Sequence, residues 1–379
     1  MGEPVILQNI KNMSWYEIKN IDEVDSPALL VYPDRIRENV RRMVEMTGSP
    51  DRLYPHIKTN KMPEVVQILK EEGIKTFKCA TIAEAELLGG AGAEYALLAY
   101  QPVGPKIARL ARLVQRFPET RFAALADNET SASSIATHFH ALNREVDIFL
   151  DIDVGQHRTG LPPDDGALAL YQHCQSLPGL RVQGLHVYDG HLRDSDITVR
   201  VERSNACYAK VDTLLQRIVA LTGQRPKVVI GGTPTFPTHA RRSGVCCSPG
   251  TCVLWDWGYS RILPEQDFLF AALVLSRVIS KIGTALVCVD LGHKNIAAEQ
   301  PFPRVHFLNL PEAQQISQSE EHLVLNVGNN ESIQVGQVLY GVPQHVCPTV
   351  ALYHWAQVVE NGRVDYRWEV VARKRQITI

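Results

Sequence analysis

Lys58 lies in Leu53-Tyr54-Pro55-His56-Ile57-Lys58-Thr59-Asn60-Lys61, which reads as a short buried strand that ends in a lysine and breaks into polar residues and Met62-Pro63. A lysine at such a strand end is desolvated on one side and open to a ligand on the other. Burial disfavours the charged amine, and a neutral amine attacks carbonyl carbon, so the place suits a Schiff-base lysine. The same place also lets a lysine snorkel to water. Gly231-Gly232-Thr233-Pro234-Thr235 follows an apolar run. Its glycines let N–H groups approach an anion and its threonines add hydroxyls, which suits a phosphate monoester; Gly250-Thr251 after Ser248-Pro249 would complete the cup. A tight turn would ask for the same small residues. Arg158, in Asp151-Ile152-Asp153-Val154-Gly155-Gln156-His157-Arg158-Thr159-Gly160, suits a phenolate or carboxylate, or an ion pair with a nearby aspartate. Tyr188 and His191 end the next apolar run, as site residues or as packed rings. His345-Val346-Cys347 offers an imidazole and a thiolate, a pair that suits zinc if a turn brings them together. Two protein ligands would leave positions for water or substrate; a buried cysteine beside an ordinary histidine fits the same residues.

The elements that must position these residues alternate. Ala28–Tyr32 reads as a strand and Arg35–Glu45 as a helix, with Asp34 as a good N-cap. Strands at 76–81, 94–100, 121–126, 147–153, 181–188 and 227–230 alternate with helices at 82–88, 105–116, 131–143, 166–176 and 199–222, and a last strand is expected from Gly250 to Trp255. About eight such units favour closure into a (β/α)8 TIM-like barrel, residues 28–257, with the chemistry at the carboxyl ends of its strands. Beyond Trp257 helical periodicity fades into short β-rich pieces, including Val350–Val359, which predicts a mainly antiparallel β domain over 258–379, joined by residues 1–27.

A content of 45% hydrophobic and 21% charged residues is ordinary for a soluble globular protein. The net charge of -2 gives no reason to expect nucleic acid or an anionic membrane. Arg373-Lys374-Arg375 reads as a solvated strand end. Met1–Lys19 lacks signal-peptide order, and Ile6 stands where myristoylation of Gly2 wants Ser or Thr. Eight cysteines without secretory features point to reduced thiols and a cytoplasmic protein.

Together these pieces resemble the D-threonine aldolase and D-serine dehydratase family, PLP enzymes of the alanine-racemase-like fold type. Pro55-His56-Ile57-Lys58-Thr59-Asn60-Lys61 looks like its PLP-lysine motif, with Asn60 where the family has histidine. The resemblance implies that Lys58, not Lys61, carries pyridoxal phosphate, with His56 in the same motif. It implies that Arg158 contacts the ring oxygen, that Tyr188 faces the ring, and that Gly231, Gly232, Thr233, Gly250 and Thr251 form the phosphate cup. His345 and Cys347 match the metal pair, with zinc favoured by the thiolate and manganese or magnesium as alternatives. Racemases of this fold place an arginine near the pyridine nitrogen where this chain has Ser248, which argues against racemase chemistry.

The expected activity is a PLP- and metal-dependent lyase on β-hydroxy D-amino acids, a homodimer. In the aldolase form it gives glycine and an aldehyde, with His191 as the base for the hydroxyl. In the dehydratase form Lys58 removes the Cα proton, and D-serine gives pyruvate and ammonia. Cys347 leans to the dehydratase, and Ser248-Pro249-Gly250-Thr251 to the aldolase. A racemase or decarboxylase of the same fold, a PLP carrier and a barrel metal hydrolase are the rivals.

Overall fold

The first apolar run, β1 (Ala28–Val31), does not open the barrel: it pairs in parallel with Trp355–Glu360 and antiparallel with Ala272–Ile282. A run buried on both faces reads alike in a parallel barrel and in the middle of a mixed sheet, so its composition does not choose between them. The computed structural model describes residues 13–379; the expectations for a signal peptide and for Gly2 and Ile6 begin on residues outside that range. The chain divides into one unit of residues up to Arg35 with Phe270–Glu369, and another of Ile36–Leu269 with Val370–Ile379. The sequence reading instead cut at 28 and 258, and did not foresee that the last ten residues return to the barrel unit.

The barrel unit contains seven parallel strands in sequential order: β2 (Thr76–Cys79), β3 (Tyr95–Leu98), β4 (Arg121–Ala126), β5 (Val146–Ile152), β6 (Leu180–Val187), β7 (Lys227–Ile230) and β8 (Cys246–Cys247). The eighth place is taken by Leu53–His56. Parallel bridges join Leu53 to Cys247 and His56 to Lys78. The Tyr54 and His56 N–H groups donate to the carbonyls of Cys247 and Pro249, both at 2.8 Å, and the Lys78 N–H donates to the Pro55 carbonyl at 3.0 Å. Pro55 has no N–H of its own, which limits this edge to a few rungs. Gly250–Trp255, expected as a strand, instead holds a 3-10 turn at Thr251–Val253.

Side chains alternate inward and outward along each strand, so the interior fills in layers. At the floor Asp147 is fully buried and accepts from Arg121 at 2.7 Å, Arg181 at 2.9 Å and the Tyr95 hydroxyl at 2.9 Å. Above it Tyr54, Tyr95, Leu97, Ala123, Leu125, Phe149 and Val229 pack as an apolar plug. Burying each large member stabilises the closed barrel by roughly 1.5–3 kcal/mol. Two residues beyond Phe149, on the same face of β5, stands Asp151, and there the interior turns polar. Helices cover the outside, and their starts are set by capping. Thr81 accepts the Glu84 N–H at 3.1 Å, while Glu84 reaches back to the Ala80 N–H at 2.6 Å.

The other unit is a nine-stranded, mainly antiparallel sheet. Its centre is β9 (Ala272–Ile282), flanked by β1, β10 (Leu286–Val289) and β11 (Val338–Pro343). The segment expected as strand from Val350 begins as a helix, Val346–Leu352, and only then becomes a strand at Trp355–Glu360. Among the described residues, which include all eight cysteines, no disulfide is formed. Among the described residues no helix is long and apolar enough to cross a membrane.

Candidate active site

Lys58 sits in a single 3-10 turn, Ile57–Thr59, immediately after the segment that closes the barrel. The His56 Nδ1 accepts the Lys58 N–H at 3.3 Å and so fixes the start of that turn. Lys58 lines a cavity of about 790 Å³ together with His56, Lys78, Arg158, His186 and Tyr188. The second lysine of the motif does not. Lys61 has a left-handed φ of 58° and is ion-paired with the fully buried Glu84. Of the two amines, only that of Lys58 faces the cavity, and among the described residues it has no hydrogen-bond or ion-pair partner.

Arg158 is carried by a tight loop. Asp153 accepts the N–H groups of Gly155 at 2.9 Å and His157 at 3.1 Å, and its other oxygen meets the His157 ring at 2.9 Å. Gly160 closes the loop at φ 98°, where a Cβ would lie 2.9–3.0 Å from the Asp153 nitrogen and the Asp151 carbonyl. Among the described residues Arg158 forms no ion pair with an aspartate, the alternative that its sequence left open. The guanidinium instead lies 4.8 Å from the centroid of the Tyr188 ring. That ring is held between two glycines: a Cβ at Gly190 would strike it at 2.3 Å and one at Gly232 would crowd it at 3.1 Å.

The glycine-rich turns after β7 and β8 face each other. The Thr233 hydroxyl accepts the N–H groups of Gly250 at 3.3 Å and Thr251 at 3.1 Å. Two amides thus converge on one oxygen, the arrangement that a phosphate oxygen needs. Buried Asp189 fixes this turn, accepting from Thr235 and from the His239 ring, both at 2.8 Å. Burial alone would raise the Asp189 carboxyl, but those two partners bring it below the ordinary range. Gly250 in turn lies against the Lys58 segment, its Cβ position 3.2 Å from His56 Cβ and from the Thr59 hydroxyl. These residues fit pyridoxal phosphate: an amine, a ring-sized wall and a donor-lined cup follow one another on adjacent strand ends.

Sequence reasoning missed Lys78 and His186 in the cavity wall below the rim, and the Asp151 carboxylate paired with His186; the three are only 3, 2 and 4% exposed. His186 and Asp151 are register partners on β6 and β5, and the His186 Nδ1–H donates to Asp151 at 2.7 Å. The same carboxylate accepts from Thr159 at 2.7 Å and Gln101 at 2.9 Å. Burial opposes ionisation of Asp151, yet His186, Thr159 and Gln101 hold it down at about 2. Burial, then the charge of Lys78, keeps His186 neutral. Arg375, read from sequence as part of a solvated strand end, also lines the cavity. His191 does not; it packs against Gly155, whose Cβ position is 3.0 Å from its Nε2.

Burial, followed by the charges of Lys58 and Lys78, also keeps His56 neutral in the folded state. Both imidazoles are free to protonate near 6.5 when unfolded. Their stabilisation is complete above that value and is lost as the pH falls, at up to about 1.4 kcal/mol per pH unit for each ring. Urea unfolding of the coenzyme-free protein is expected to give a lower stability at pH 5.5 than at pH 7.5, by at most about 1.4 kcal/mol for each ring. A flat profile between these values would contradict the neutral assignment.

In the other unit His345 is extended, at φ -138° and ψ 105°, and precedes the helix whose second residue is Cys347. The two residues thus stand on either side of a helix start rather than along one extended segment. The His345 Nδ1 is 2.5 Å from Glu299 Oε1, the carboxylate–histidine pairing that orients a metal-binding imidazole. Among the described residues no three His, Cys, Asp or Glu side chains come together as a metal cage. The two residues therefore fit an ion only as a pair that leaves other positions open.

A parallel barrel with an amine at one strand end and a facing glycine cup defines a class of carbonyl-handling coenzyme enzymes. Residues 31–253 match the alanine racemase N-terminal domain family, more than half of the chain, and the chain belongs to that family. Residues 271–359 match the putative serine dehydratase domain. A D-threonine aldolase of Arthrobacter sp is 28% identical over 358 residues, 92% of this chain and 93% of that protein. A 3-hydroxy-D-aspartate aldolase of Paracoccus denitrificans is 25% identical over 366 residues, 93% of this chain and 92% of that protein. The crystal structure of D-threonine aldolase from Filomicrobium marinum matches with a TM-score of 0.85 at 27% identity, covering 97% of this chain and 99% of that one. The chain is an enzyme of the lyase class.

Proposed function

We propose that this lyase depends on pyridoxal phosphate and a divalent metal, and cleaves β-hydroxy D-amino acids to glycine and an aldehyde. One observation carries the reading: Lys58 presents a free amine to the cavity beside Tyr188 and Arg158, while Lys61 is committed to Glu84. Bound there, the coenzyme supplies an electron sink for the bond broken at Cα. Lys58 would hold it through its amine. The amides of Gly250 and Thr251, with Thr233, take its phosphate, and Tyr188 forms the wall against its ring. Arg158 offers a fixed positive charge to its phenolic oxygen. The proposed metal ligands are His345, oriented by Glu299, and Cys347; a zinc ion held there would supply Lewis-acid chemistry. With His191 outside the cavity wall, it is not proposed as the base.

Elimination to a keto acid and ammonia is the second reading, favoured by Cys347 and by the match of residues 271–359 to the putative serine dehydratase domain. Purified enzyme given D-threonine, D-serine and 3-hydroxy-D-aspartate is expected to release glycine and aldehyde, and to lose at least about 90% of its rate on treatment with a strong chelator, with recovery on adding zinc or manganese. Keto acid and ammonia as the main products would select the dehydratase reading. A rate indifferent to the chelator would remove the metal.

A further inference from the structure

We propose that Lys78, held by Ser248 and flanked by His186, is a further coenzyme-binding residue, donating a hydrogen bond to the polar edge of the coenzyme ring from the barrel interior. This rests on the pyridoxal phosphate reading above. Lys78 is on β2, in register with Leu97 of the interior plug, so its side chain rises inside the barrel and reaches the cavity wall. Among the described residues its Nζ makes one hydrogen bond, to the Ser248 hydroxyl at 3.0 Å. Ser248 gives its own proton to the Gly231 carbonyl at 2.8 Å, so it accepts from Lys78 and locks the amine to the turn that begins the phosphate cup. Beside it the Nε2 of His186, 98% buried, has no partner. A lysine and a histidine buried at one cavity wall, with hydrogen-bonding capacity unspent, are expensive unless a ligand completes them.

The groups around Lys78 set its charge. His56 and Lys58 face it from the closing segment, Asp151 from β5, Arg158 from the loop after β5, and His186 and Asp189 from β6 and its exit; the Tyr188 ring centroid lies 5.4 Å from its Nζ. Burial dominates, followed by Lys58, and the amine is brought down to about 7. Lys78 therefore changes charge in the working range, beside the ring that the coenzyme would occupy.

The test uses the full chain loaded with pyridoxal phosphate, reading the bound coenzyme's absorbance from pH 6 to 9 and its dissociation constant. The wild type is expected to titrate with a midpoint near 7. Lys78→Met is expected to lose that midpoint and to bind coenzyme about tenfold more weakly. Lys78→Arg keeps a charge at every pH in the range, and is expected to restore most of the affinity without the midpoint. Thermal melts check that each variant is folded, and Ser248→Ala, expected to displace the midpoint, serves if Lys78→Met is not. A normal titration and affinity in folded Lys78→Met would overturn this proposal alone. A wild-type protein that takes up no coenzyme would overturn the pyridoxal phosphate reading and this one with it.

Discussion

Lys58→Ala is expected to lower turnover by at least about three orders of magnitude, roughly 4 kcal/mol of transition-state stabilisation. Two other lysines, Lys78 and Lys106, line the same cavity, so the loss must be tied to the right amine. Borohydride reduction of the loaded wild type, followed by peptide mass spectrometry, is expected to leave the coenzyme mass on the peptide containing Lys58, and on no other. Label on Lys61 or Lys78 would reassign the site. The geometry makes the choice sharp. Lys61 already neutralises Glu84, and Lys78 is tied to Ser248, whereas Lys58 has no such partner among the described residues. Removing Lys58 breaks no ion pair, so the variant is expected to melt within a few degrees of the wild type without coenzyme.

Lys61→Met is expected to do the reverse, damaging the fold before the chemistry. Glu84 is fully buried; it serves both as the acceptor for the Ala80 N–H and as the partner of Lys61. Deleting the cation leaves a carboxylate in the interior with its compensation gone, a change that costs about 3–5 kcal/mol. In a unit of this size the melting temperature should fall by roughly 10 °C. Lys61→Met with Glu84→Gln removes both charges and is expected to recover much of that loss. If the single variant melts like the wild type, Glu84 is compensated by something other than Lys61.

The two lysines also illustrate what the sequence could and could not disclose. Lys58, Arg158 and Tyr188 follow the apolar runs of their strands, where polarity changes abruptly, and each lines the same cavity. The facing glycine turns were legible for the same reason. Lys78 and His186 were not. Each is a polar residue between apolar neighbours, and which face it occupies is set by its register with the neighbouring strand, Leu97 for one and Asp151 for the other. His191 misled because a residue four places past a strand end has already left the rim. Ala28–Val31 misled because a wholly apolar run carries no sign of the sheet that it joins. The closing strand itself was read correctly as a strand, but a surplus unit counted before it hid its place in the circle. Arg375 joined the site from the far end of the chain, a long-range placement that local pattern cannot supply.

That circle is completed by very few rungs. Leu53–His56 meets one neighbour through Cys247 and Pro249 and the other through Pro55 and Lys78, whereas β5 and β6 are paired along seven residues. Thermal breathing should therefore begin along this slit, with the amine-bearing turn moving as it parts. A ligand anchored at once on Lys58 and on the turn at Gly250 straddles the slit, like a hoop around a cask with one loose stave. Occupancy and closure of the cylinder then become the same equilibrium, and the protein holds its working shape most firmly when it is loaded.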